Sequence, residues 1–126
     1  MNSAQELKNK DHQSTDPRDL LQRRAFYSLG KLWEDLLPNE KFKVVGYAVR
    51  DLLVLNAIKT ERKYNSADTK RAYYLSMEFL VGRLLQNNLV NLKMLDEGAA
   101  ILNDLGDDLE RIIEYENDAA LGNGGL

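Results

Sequence analysis

The chain has 126 residues, 44% of them hydrophobic, with no cysteine, a single histidine and a formal net charge of −3. That composition suits a soluble globular protein and excludes disulfides, thiolate chemistry and a histidine metal cluster; His12 reads as a solvated tail residue. Lys and Arg are interleaved with Asp and Glu, which disfavours a nucleic-acid partner or an anionic membrane surface.

The opening residues, MNSAQELKNKDHQSTDPR, hold no apolar stretch of the kind a signal peptide needs, and no later apolar run approaches the roughly 20 residues of a membrane span. A cytoplasmic protein is expected. Residues 1–15 are polar and aperiodic and read as a mobile tail, separate from a body over residues 16–126. Asp16 followed by Pro17 is a helix entry, with a carboxylate at the cap and a proline whose missing N–H costs nothing there. Leu21, Ala25, Leu29, Leu32 and Leu36 then recur at helical spacing until Pro38 ends the stripe.

Asn39 is a candidate cap for a second helix, in which Phe42, Val45, Val49, Leu52 and Leu53 share a face; this helix is expected to run to about Thr60 or slightly beyond. The charged stretch TERKYNSADTKR, residues 60–71, reads as turn-rich. The aromatics of AYYLS, residues 72–76, suit a short strand. From Met77 the pattern returns to helix, with Leu80, Leu84, Leu85, Leu89 and Leu92 in one stripe that Gly82 interrupts. Two short helices follow. Residues 99–105 stop at Gly106, a left-handed cap, and Asp107 or Asp108 opens residues 109–115 with an acid at the positive end of the helix. ENDAALGNGGL reads as a loop, and no internal repeat is present.

Gly122, Gly124 and Gly125 stand within four residues, and such a run lets backbone N–H groups approach an anion without interference from a Cβ. Spacing alone leaves this open between an anion loop and an ordinary turn. The combination of blocks is more specific. KRAYYLSMEFLVGRLLQNNLVNL (residues 70–92) followed by DAALGNGGL (residues 118–126), with YAVRDLL (residues 47–53) before them, resembles the α-glucan phosphorylase family.

The resemblance implies an amino-terminal fragment of an α/β protein. The expected whole is a two-domain Rossmann-like glycosyltransferase of the GT-B type, and this piece supplies about five helices and one short strand of its first domain. It implies phosphorolysis of terminal α-1,4-linked glucose from glycogen or a related glucan to glucose 1-phosphate, with pyridoxal 5'-phosphate (PLP) as cofactor and a homodimer as the intact enzyme. The cofactor-binding lysine of the family matches no lysine here, so the fragment alone is expected to be inactive and to hold no catalytic residue. Asn123, Gly124, Gly125 and Leu126 match the loop that approaches phosphate and sugar.

Glu78 matches a supporting carboxylate behind that loop; without the family it would read as a helix-start acid on the surface. Tyr73 and Tyr74 are assigned to packing. In animal members the segment corresponding to residues 59–65 carries an effector-nucleotide site. Here Lys59, Glu61, Arg62 and Asn65 occupy it, and Asn65 and Glu61 stand where a stacking aromatic and an amide are expected, which argues against nucleotide activation. Two other readings remain open from residues alone: a helical interaction module, and a nucleotide-binding half-domain supported only by the glycine run.

Overall fold

The computed structural model describes residues 16–120 and 122. Among them are five α-helices: α1 (Pro17–Leu29), α2 (Pro38–Ala67), α3 (Leu85–Asn91), α4 (Leu95–Asp104) and α5 (Leu109–Ile113). A 3-10 turn, Trp33–Asp35, links the first two. The expected tail at residues 1–15 and the glycine-run residues 123–126 lie outside the described part.

Helix α1 starts as its sequence dictates: the Asp16 side chain accepts from the Arg18 N–H at 3.0 Å, and Pro17 occupies the first turn. It ends earlier than the leucine stripe suggested. Gly30 adopts φ 66°, and its N–H donates to the Phe26 carbonyl at 2.9 Å while Lys31 N–H reaches the Ala25 carbonyl, so the last carbonyls are closed off by a left-handed cap. The stripe beyond Gly30 therefore divides. Leu36 is buried behind the 3-10 turn, and Leu32 is exposed.

Helix α2 begins at Pro38 rather than under an Asn39 cap. Glu40, three residues past Leu37, turns its Oε2 back to accept from the Leu37 N–H at 2.9 Å. The helix runs 30 residues to Ala67, about 45 Å at 1.5 Å per residue. It thereby passes through most of the stretch expected to be turn-rich. Residues 59–64 include Lys, Glu and Arg, which lose little rotamer freedom in a helix, and neither Gly nor Pro interrupts them. Asp68 ends the helix at φ 47°, with its N–H on the Tyr64 carbonyl.

The core joins all five helices. Leu21 and Ala25 of α1, Val44, Val45, Ala48 and Val49 of α2, Leu85 and Leu89 of α3, Leu102 of α4, and Leu109 and Ile112 of α5 are buried together with Trp33 and Leu36. Only the amino half of α2 takes part, because every residue from 54 to 67 is exposed.

Two further expectations are corrected. Residues 72–76 form no strand; Tyr73, Tyr74 and Leu75 are 80–92% exposed. A strand exists only through hydrogen bonds to a neighbour, and no described segment lies alongside this one. Residues 77–84 are not helical, since Gly82 sits at φ 65°, which breaks the helical path, and α3 starts only at Leu85. Helix α4 begins four residues before the expected Ala99, after a turn in which Lys93 takes φ 58°. Gly106 does lie in the left-handed region at φ 80°. Of the two candidate acids, Asp108 caps α5 by accepting from Glu110 N–H at 3.2 Å.

Asp107 is used differently. Its Oδ2 accepts from the Trp33 indole N–H at 2.8 Å and from Lys41 Nζ at 2.8 Å, and Lys41 also lies 5.5 Å from the centre of the Trp33 ring. Arg24 Nε donates to Asp51 Oδ2 at 2.6 Å, fastening α1 to α2. Among the described residues no buried side-chain polar atom lacks a partner.

Candidate functional site

Residues 76–85 meet residues 116–120 and Gly122 in the structure. Ser76 Oγ accepts from the Glu78 N–H at 3.1 Å and donates to the Glu78 carbonyl at 2.8 Å, so Glu78 sits on a short hydroxyl-closed turn instead of a helix start. Phe79 packs edge-on against Tyr74 with ring centres 6.1 Å apart. The Glu78 side chain is half-buried and reaches the beginning of the glycine run: a Cβ built on Gly122 would lie 3.7 Å from Glu78 Oε1.

The approach to that glycine is held by backbone and carboxylate contacts. Glu116 Oε1 accepts from the Leu84 N–H at 2.7 Å and the Leu85 N–H at 3.1 Å, and Oε2 also lies 3.1 Å from Leu85 N. Ala119 N–H donates to the Gly82 carbonyl at 3.1 Å, and Asp118 Oδ1 accepts from Ala120 N–H at 2.8 Å. The site is thus a turn bearing a carboxylate, laid against the chain that enters the glycine run. Asn123, Gly124, Gly125 and Leu126, expected to bind phosphate and sugar, lie outside the described residues.

The second expected cluster is on the exposed part of α2. Lys59, Glu61, Arg62 and Asn65 all belong to that helix and are exposed. Arg71 folds back from beyond the helix end, and its Nη2 donates to Glu61 Oε1 at 2.8 Å and Asn65 Oδ1 at 2.7 Å. The hydrogen bond to Glu61 raises the Arg71 pKa above its ordinary value, so it is a fixed cation. Sequence patterning brings out neither contact: Arg71 and its partners share a charged stretch that reads as turns, and Glu116 acts far along the chain. Glu116 stands 31 and 32 residues from its partners.

Comparison with known proteins extends the resemblance across most of the chain. It is similar to the glycogen phosphorylase of Bacillus subtilis (strain 168), with 43% identity over 108 residues, 86% of this chain and 14% of the relative. The glycogen phosphorylase of Chlamydia pneumoniae is 41% identical over 119 residues, 94% of this chain and 14% of that protein. The brain form of human glycogen phosphorylase is 42% identical over 109 residues, 86% of this chain and 13% of its own length. The chain therefore spans about one seventh of the relatives it matches. No family model matches it.

Proposed function

We propose that this chain is the amino-terminal segment of a glycogen phosphorylase, the mostly helical start of the first of two Rossmann-like domains. The observation that carries the proposal is identity above 40% to glycogen phosphorylases over 86–94% of the chain. In the intact enzyme, inorganic phosphate attacks the terminal α-1,4-linked glucose of a glucan and releases glucose 1-phosphate. The enzyme acts as a homodimer in the cytoplasm.

In this reading the glycine run supplies backbone N–H groups to phosphate and sugar, and Glu78 stands behind it as a supporting carboxylate. The adjacency of Glu78 and Gly122 supports that division of labour. A run with three glycines lets the main chain approach an anion at hydrogen-bond distance, and donors fixed before reaction stabilise developing charge without reorganising. PLP belongs to the intact enzyme. No lysine of this chain matches the family's cofactor-binding lysine, so in this reading the 126-residue chain alone makes no glucose 1-phosphate.

Gly124→Ala and Gly125→Ala in the intact enzyme test the site. The added Cβ would push the backbone away from the anion, and losing one well-aimed donor in this way costs on the order of 3 kcal/mol of transition-state stabilisation, about a hundredfold in turnover. The expected outcome is that loss with a thermal midpoint close to the parent's. A midpoint lowered by several degrees with unchanged activity per folded molecule would make these glycines turn residues only.

A further inference from the structure

Glu116 belongs to no helix and lies outside the three sequence blocks that carry the family resemblance, yet it makes three contacts to the start of α3 just before the chain enters the glycine run. The first amides of α3 have no acceptor of their own, since the residue at the cap position is Leu84. The Glu116 carboxylate covers the Leu84 and Leu85 N–H groups at 2.7–3.1 Å. A carboxylate on the amino end of a helix makes charge-assisted bonds in the favourable direction of the helix dipole. Helix α3 is itself anchored in the core through buried Leu85 and Leu89. From this fixed point the chain continues with Ala119 bonded to Gly82, and reaches Gly122 beside Glu78.

We propose that Glu116 is a positioning residue for the candidate site: by holding residues 116–120 against residues 82–85, it sets where the glycine run begins, at Gly122, relative to Glu78. Its consequence for activity rests on the proposed phosphorylase reading; the clamp itself does not. The two strands of the argument separate chemically. The clamp needs an acceptor at the two α3 amides, which glutamine retains in weakened form and alanine lacks.

The test is made on the intact protein with Glu116→Ala and Glu116→Gln, beside Asp108→Ala, which removes the side-chain cap of α5 and leaves the clamp alone. Amide hydrogen exchange over residues 117–122 is expected to accelerate about tenfold in Glu116→Ala, to stay within about threefold of the parent in Glu116→Gln, and to be unmoved in Asp108→Ala. The KM for inorganic phosphate is expected to rise about tenfold in Glu116→Ala, to be largely restored by glutamine, and to hold in Asp108→Ala, each compared at equal folded fraction. Unchanged exchange in Glu116→Ala overturns the proposal whatever the activity does. Faster exchange with phosphate KM no different from Asp108→Ala overturns the positioning role as well. An intact parent that turns over no glucan defeats the phosphorylase reading instead, and exchange alone then decides the clamp.

Discussion

At Asp107 one carboxylate satisfies an indole from the 3-10 turn and an ammonium from α2, and both donors come from residues far away in the chain. Trp33 is only 5% exposed, so removing the acceptor leaves its N–H poorly satisfied. Asp107→Ala is expected to lower stability by about 2–3 kcal/mol, with Asp107→Asn costing less because the amide oxygen still accepts from Trp33. Denaturant melts of the three proteins check this. Equal midpoints for parent and alanine variant would show the network to be idle.

Glu40 offers a pH test. The Lys31 ammonium, hydrogen-bonded to both of its carboxylate oxygens, and the Leu37 N–H hold its pKa below the ordinary 4.5. Folding therefore favours the ionised acid. Its contribution is fully present above the unfolded value of 4.5 and is lost as pH falls through the lower folded value. Glu40→Gln should melt below the parent at neutral pH, with the gap closing as the solution is acidified below 4.5. A gap that persists at the acid end would contradict the assignment.

Helix α2 divides into two halves of different standing. Val44, Val45, Ala48 and Val49 are 0–6% exposed, whereas Val54, Leu55, Ile58 and Tyr64, beyond the core, are 44–47% exposed. Helical stability in water comes mainly from packing of one face. In the 126-residue chain, amide exchange should be slowest around residues 44–49 and faster by orders of magnitude over residues 58–67, as read by exchange mass spectrometry. Uniform protection along α2 would refute this. The starts of α1 and α5 were legible in the sequence, because Asp16 and Asp108 act locally, each on an N–H two residues away. The starts of α3 and α4, read at Met77 and Ala99, fall at Leu85 and Leu95. Two ends were misread as well. Gly30 stopped α1 despite a leucine stripe that continued past it, and α2 ran on where charge alone suggested turns. The strand expected at residues 72–76 failed for a different reason, since pairing is a property of two segments and the sequence shows one. At the candidate site, Glu78 and the glycines stood out by motif, whereas Glu116 and Arg71 act through contacts that no spacing encodes.

On the scale of the whole molecule, the described residues form a helical body with a long helix projecting from it and an extended apolar stretch laid bare. Tyr73, Tyr74, Leu75, Met77 and Leu80 are 69–92% exposed, an accumulation seldom left in water by a self-sufficient monomer. Among the described residues no helix is long and apolar enough to cross a membrane, so a lipid phase does not account for that surface through a helical span. The phosphorylase reading does account for it, because these side chains then face the remainder of the domain. The most direct measurement supplies the intact protein with glycogen and inorganic phosphate and assays glucose 1-phosphate. Phosphate-dependent formation of glucose 1-phosphate by the intact protein, and none by the 126-residue chain, is the predicted result. An intact protein that is folded and loaded with PLP yet forms no glucose 1-phosphate would contradict the proposed function.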